Sequence, residues 1–338
     1  MKDFRKMLPG LLISLTLVAA ILYFVDLRAV LEAFKKANYG LLLVVFLLGV
    51  AWLLVRGVVW RTLLRERASF CDVFLTLMEG YLLNNFLPFR LGEIGRAFLL
   101  SRKSDPSTGS GLKFGEILPT IVIERVTDLV FSAAILIGAV PFVVGAGGAE
   151  RIAVLIGGAM LVGLAAMYAL ARNRQWALDV FHSLSHRWPV AQRLGGSFLE
   201  AFLNGLGVMT NPWLSARFFG WMTLNWGMAI VQYYLLALAY YPQAEPVWGM
   251  FSLGAAAFGG AIPSLPGAVG TLEGAYGGAL ALLSGDQSTA LAIALTWRVF
   301  NYTYTLTFGL YALSREGQTI GGLYRELMKL TNREQENK

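Results

Sequence analysis

Leu87-Pro88-Phe89-Arg90-Leu91-Gly92-Glu93 interrupts an otherwise apolar run, Val73–Leu100. A second apolar run, Val247–Leu283, is interrupted in the same manner at Ile262-Pro263-Ser264-Leu265-Pro266-Gly267-Ala268-Val269-Gly270-Thr271. Each limb beside a break holds about 10–16 residues, short of the roughly 20 that a helix needs to cross a hydrocarbon core. The first run is flanked by positive residues at both ends, the second by the acidic Glu245 and Asp286. A run that breaks at Pro and Gly and returns to the side it left reads as a re-entrant helical hairpin. Two short spans with a loop between them are the plainer alternative. Irregular backbone survives at membrane depth only where protein or a water-filled cavity covers it. Both tips, near Phe89 and Gly267, are therefore expected inside the fold.

The surroundings of the two breaks are apolar as well. Of 338 residues, 56% are hydrophobic and 14% charged, and the mean hydropathy is +0.58. Soluble domains carry about a quarter charged residues, so the excess apolar surface must face something other than water. Leu8–Val25, Tyr39–Val59, Ile117–Val144, Ile152–Ala171, Phe218–Tyr241 and Thr289–Leu313 are the clearest long runs. Backbone groups in lipid have no water to bond, so these runs must be helices. The expectation is an all-α polytopic membrane protein with about six full transmembrane helices and two re-entrant hairpins. It forms a single transmembrane domain over residues 1–338, with a cytoplasmic connector at about 172–217.

The net charge of +7 sits beside the apolar runs, where Lys and Arg report orientation and contact with anionic lipid head groups. Lys2, Arg5 and Lys6 precede the first run, and Arg61, Arg65 and Arg67 follow the second. Arg172, Arg174, Arg187 and Arg193 follow the fourth run, and Arg315, Arg325, Lys329 and Arg333 follow the last. This pattern places both termini in the cytoplasm of a multi-pass cell-membrane protein. The outside connections hold little beyond Arg28, Lys35, Lys36 and Arg151. No basic stripe on a soluble fold is present to bind nucleic acid. The first apolar run lacks a small-x-small cleavage site before Asp26, so it reads as a retained helix. Cys71 is the only cysteine, which excludes an intramolecular disulfide and a cysteine metal cluster. His182 and His186 stand beside Arg187 and Trp188 without a carboxylate at matching spacing and read as interfacial. Neither a metal nor a cofactor is expected.

The two breaks resemble one another. Leu87-Pro88-Phe89-Arg90-Leu91-Gly92 aligns without gaps on Leu265-Pro266-Gly267-Ala268-Val269-Gly270, and Ala97 then matches Ala275. Further on, Glu124-Arg125-Val126-Thr127-Asp128 resembles Trp297-Arg298-Val299-Phe300-Asn301. Pro88 precedes Arg125 by nearly as many residues as Pro266 precedes Arg298. The charge topology sends the first hairpin in from the cytoplasm and the second from outside. The pattern is that of an inverted repeat, with halves at about 39–144 and 218–313. In secondary transporters such paired broken helices point to a site near the midplane.

Several charges lie within these apolar stretches. A charge at the centre of a spanning helix costs about 2.5–3.5 kcal/mol on the insertion scale. Glu124, Arg125 and Asp128 share one run, Arg298 lies within another, Arg90 lies in the first break with Glu93 and Arg96 just after it, and Glu273 follows the second. Arg125 and Asp128 are neighbours on one helix face. The candidate site is Arg90, Glu93, Arg96, Glu124, Arg125, Asp128, Glu273 and Arg298, with Pro88, Gly92, Pro266, Gly267 and Gly270 at the tips. A salt bridge that merely locks the bundle is the structural alternative for each charge. Arg56 and Arg61 read as helix-end residues that snorkel to the head groups and receive no site role. Helices that resume after Gly92 and Gly270 would aim amino-terminal dipoles inward, which suits an anion such as a lipid phosphate.

Asn84-Asn85-Phe86-Leu87-Pro88-Phe89-Arg90-Leu91-Gly92-Glu93-Ile94-Gly95-Arg96, Glu124-Arg125, Leu265 to Glu273, and Arg298 together resemble the signature of the lysylphosphatidylglycerol synthase transmembrane family. The resemblance runs from about Leu41 to Leu313. It implies a flippase-like domain that moves a phosphate-bearing lipid, or a lipid-linked group, between leaflets. In the synthases such a domain precedes a soluble aminoacyl-transferase domain. This chain ends soon after its last apolar run, so a stand-alone member is expected. Other relatives work beside glycosyltransferases that use polyprenyl-phosphate carriers. Pro266-Gly267-Ala268 lacks the Gly-Gly pair common in the family. The expected partner is a membrane lipid, anionic or phosphate-bearing, and a lipid-modifying enzyme or glycosyltransferase is a further partner. Two alternatives stand beside the flippase. One is a membrane enzyme on lipid-phosphate substrates that uses Glu93, Glu124 or Glu273 as acid or base. The other is a non-transporting partner of a glycosyltransferase.

Overall fold

The structure, a computed structural model, describes residues 26–87, 91–103, 111–145, 172–185, 211–262 and 266–317, plus residue 203 and scattered positions between 151 and 169. The expected span Leu8–Val25, most of Ile152–Ala171, Pro88, Arg90, His186 and much of the connector lie outside these residues.

Helices account for the regular structure among the described residues. A short helix α1 (Leu27–Lys36) leads into α2 (Tyr39–Leu63). The first broken run forms α3 (Phe70–Phe86) and α4 (Leu91–Lys103), and α5 (Phe114–Val143) follows. Helix α6 (Arg174–Ser185) lies in the connector, ahead of α7 (Pro212–Leu238). The second broken run forms α8 (Pro246–Ala261), a 3-10 turn (Pro266–Ala268) and α9 (Thr271–Ser284), and α10 (Gln287–Arg315) ends the described chain. Helices α2, α5, α7 and α10 have 25, 30, 27 and 29 residues. At about 1.5 Å per residue each exceeds a hydrocarbon core of about 30 Å. Helices α2 and α5 are also apolar enough by composition to cross it.

The faces of these helices reverse the soluble pattern. On α2 the exposed side chains are Leu43, Leu47 and Leu54, while Arg56 is buried. On α10 Val299, Leu306 and Leu310 are exposed, while Arg298 and Thr305 are buried. Apolar outside and charged inside is the arrangement that lipid selects, because an ionic side chain must face the bundle interior. The chain is an all-α, multi-pass membrane protein.

Local chemistry sets the helix limits. Asn38 caps α2 by accepting from the Leu41 N–H, and Ser69 caps α3 by accepting from the Asp72 N–H. Asn211 and Asp286 do the same for α7 and α10. The first limb of each hairpin stops at the residue before a proline. Leu87, before Pro88, has ψ 142°, and Ile262, before Pro263, has ψ 129°. The proline ring excludes the helical region from its predecessor, so both breaks are written in the chain. Gly267 and Gly270 take φ of +72° and +88°, which only glycine adopts without cost.

Each hairpin closes on a glycine contact. A Cβ on Gly92 would collide with the Gly80 carbonyl oxygen, and one on Gly259 with Ala275 and the Thr271 carbonyl oxygen. The hairpins then reach across the sequence: α3 packs on α10, α8 packs on α5, and α2 packs along α7. At Gly49, midway along α2, the missing side chain leaves a notch that Tyr304 and Gln232 fill. Their polar ends donate to the Phe46 and Val45 carbonyl oxygens at 2.9 and 3.3 Å.

The glycine closure of the first hairpin has a measurable consequence. Gly92→Ala must push two backbones apart, and overpacking of this kind costs about 1–3 kcal/mol. Gly278→Ala, where an added Cβ meets nothing, should leave the thermal midpoint of the detergent-purified protein unchanged. Gly92→Ala should lower it, and equal midpoints would show that the hairpin closes otherwise.

Candidate functional site

Glu124 lies at the centre of a charge cluster on α5 and is fully buried. Its Oε1 accepts from Arg56 Nη2 of α2 at 2.5 Å, and its Oε2 from Arg96 Nη2 of α4 at 3.0 Å. Arg56 reaches on to Asp128, one turn along α5, with Nη2–Oδ2 and Nη1–Oδ1 distances of 2.5 and 2.9 Å. Its Nη1 also approaches Asn225 Oδ1 of α7 at 3.4 Å. Asn225 donates in turn to the Trp52 carbonyl oxygen at 3.1 Å. The guanidinium of Arg96 lies over the Trp60 ring, 4.6 Å from its centre, a favourable cation–π placement. The Trp60 indole N–H donates to Thr120 at 3.1 Å.

Arg125 completes the cluster on its more open side. Its Nε pairs with Glu93 Oε1 of α4 at 3.0 Å and its Nη1 with Asp128 Oδ2 at 3.3 Å. Three guanidinium groups thus meet three carboxylates, so the ion-paired cluster is neutral as a whole. Side-chain exposure is graded across it: Arg56, Arg96 and Glu124 are at 2%, 1% and 0%, against 29%, 19% and 17% for Arg125, Glu93 and Asp128. Only the second group is reachable. Helices α2, α4, α5 and α7 all supply a side chain, so the cluster joins the first hairpin to both spans beside it and to the second half.

A second ion pair, Arg298 with Glu273, lies at the other tip. Glu273 sits in the first turn of α9, and its Oε2 accepts from the Gly270 N–H at 2.8 Å. Arg298 donates from Nη1 to the Gly267 carbonyl oxygen at 2.5 Å and from Nη2 to that of Ala268 at 3.3 Å. One guanidinium from α10 therefore clips the whole 3-10 turn in place. At the first tip Asn84 plays the comparable part, because its Oδ1 accepts from the Gly92 N–H at 2.9 Å. Asn85 donates to Thr305 of α10 at 2.8 Å, and α3 touches the second tip.

The expected residues fall into two groups. Glu93, Arg96, Glu124, Arg125 and Asp128 converge in one cluster, and Glu273 and Arg298 converge at the second tip with Gly267 and Gly270. Arg90 and Pro88 lie outside the described residues. Gly92 acts in hairpin closure. The Gly92 and Gly270 N–H groups donate to the chain's own Asn84 and Glu273. Arg56 requires a correction. It does not snorkel to the head groups; it is 2% exposed and holds both acids of α5. Helix α2 extends to Leu63, which leaves Arg56 two turns from the end with the carboxylates of Glu124 and Asp128 in reach. Its place on the buried face with Gly49, Leu53, Trp60 and Leu63 was the signal in the sequence.

The fold and the site together define a multi-pass membrane protein with a paired-charge interior beside two broken helices. A family model described as Lysylphosphatidylglycerol synthase TM region matches residues 7–309, and the chain belongs to that family. Its role is thereby related to lipid modification or transport. Neither the comparison with curated proteins nor that with solved structures gave a match.

Removal of Glu124 tests the energetics of the cluster. Glu124→Ala leaves two buried guanidinium groups short of a partner, and breaking a buried pair from one side costs about 3–5 kcal/mol. Leu47→Ala on the exposed face of α2 should cost little by comparison. The thermal midpoints of the two variants in detergent check this, and a Glu124→Ala protein as stable as Leu47→Ala would deny the cluster its structural weight.

Proposed function

We propose that this protein moves a phosphate-bearing lipid, or a lipid-linked group, between membrane leaflets, with the two hairpins as gates. The observation that carries this reading is the graded cluster: charges fully sealed at Arg56, Arg96 and Glu124, and reachable at Arg125, Glu93 and Asp128. A head-group phosphate that reaches Arg125 would take the place of Glu93 or Asp128, while acyl tails stay in the bilayer. Head groups rarely cross unaided, because an unpaired charge in hydrocarbon is so unfavourable. Exchange of one anion for another on a fixed guanidinium avoids that cost. Arg56 and Arg96 would hold Glu124, and with it the frame, during the exchange. Arg298 and Glu273 would set how readily the second tip opens.

An inverted repeat, as read from the two breaks and the charge pattern, would give two-sided access. Helix α3 packs on α10 and α8 on α5, which is the reciprocal pairing expected if each half's hairpin rests on the other half's span. In this reading both termini are cytoplasmic and the hairpins enter from opposite sides. Cysteines at Lys103 and Asp286, the outer ends of the two hairpins, should then react with impermeant reagents from opposite faces of sealed vesicles. Reaction of both from one face would remove the inverted arrangement.

Transport itself is read with a labelled phospholipid in vesicles that hold the purified protein, scored leaflet by leaflet. Arg125→Ala should reduce transfer at least tenfold, and Arg125→Lys should restore part of it, because an ammonium lacks the planar fork that grips a phosphate. Arg298→Ala should change transfer by loosening the tip. Normal transfer by a folded Arg125→Ala protein would leave the cluster as a lock of the bundle. That second reading draws on the fact that each of the three guanidinium groups already has a carboxylate.

A further inference from the structure

A different group of charges ties the first hairpin to the end of α10, and the cluster at the tips does not use it. Lys103, the last residue of α4, donates to Thr76 Oγ1 at 2.7 Å and pairs with Glu79 Oε2 of α3 at 3.2 Å. It also pairs with Glu316, the residue that caps the end of α10. These contacts take all three ammonium donors. Two carboxylates therefore share one cation, and the set carries a surplus negative charge when all three groups are ionised. The two acids are not equal. Glu316 is 19% exposed, whereas Glu79 is wholly buried and its Oε1 has no hydrogen-bond partner. Leu82, Leu83, Leu99 and Leu313 pack together on the same three helices. Among the described residues, the charges that act most strongly on Glu79 are Lys103 from α4 and Glu316 from the end of α10.

The geometry points to Glu79 as a proton-binding site. A buried carboxylate with one unpartnered oxygen, in competition with a second carboxylate for one ammonium, loses its surplus charge by taking a proton from water. The proton goes to Glu79, nothing else is exchanged, and Lys103 keeps Glu316 as its ionised carboxylate partner. Uptake thus loosens the hold of α3 on the end of α4, and release restores it. The site stands without the transport reading. Its coupling to lipid movement rests on that reading, with the proton gradient as a source of work for the first gate.

The proton is counted directly. The purified full chain in weakly buffered detergent, with a pH-indicator dye, is stepped from about pH 8 to about pH 5, above the range of ordinary carboxylates. The wild-type protein should take up about one proton more than Glu79→Gln, with the histidines cancelling in the difference. Glu316→Gln removes the like charge that favours protonation, so its uptake should move to lower pH. Equal uptake by the wild type and a folded Glu79→Gln overturns the site. If Glu79→Gln does not fold, an uptake curve for Glu316→Gln that coincides with the wild type overturns it instead. In vesicles, an imposed proton gradient should change lipid transfer several-fold in the wild type and leave Glu79→Gln unaffected. A wild type that transfers lipid without regard to the gradient removes the coupling. A wild type that transfers no lipid removes the proposed function and leaves the proton count standing.

Discussion

A charge inside a lipid-embedded bundle has to meet its opposite where it stands, and in this protein that condition is concentrated on Glu124. Its two oxygens receive guanidinium groups from α2 and α4, and the first of these also holds Asp128 and Asn225. Apolar packing alone gives helices in lipid little reason to prefer one neighbour, because the tails are as apolar as leucine. The ion pairs supply the preference. They set which face of α2 turns inward, how deep α4 lies, and where α7 meets α2.

The two broken helices are held by different means. Asn84, a neutral amide on the limb before the break, secures the first tip. An ion pair and two carbonyl contacts, with the cation supplied by α10, secure the second. A charged group bound to backbone carbonyls is a stronger restraint than an amide. The helices that resume after the two breaks therefore begin under different restraints.

Much of this was legible in the chain. Pro88 and Pro263 end their helices by local sterics, so the two breaks needed no distant information. The pairing of Arg125 with Asp128 followed from helical spacing. The partners of Arg56 did not, since they lie 68 and 72 residues further on and the residue sits near enough to a helix end to pass for one that reaches the head groups. Glu79 was hidden for a related reason. In the sequence it lies between apolar residues with no cation nearby, and Lys103 comes to it only because the hairpin folds back.

The same separation bears on how the protein is made. Chains enter the membrane amino terminus first, and Arg56 emerges 68 residues ahead of Glu124. Until α5 follows, α2 carries an unneutralised guanidinium whose cost in hydrocarbon is about 2.5–3.5 kcal/mol. Helix α2 thus gains the carboxylate partners of Arg56 only after α5 has been made. A helix made later therefore supplies the charges that hold an earlier one in place.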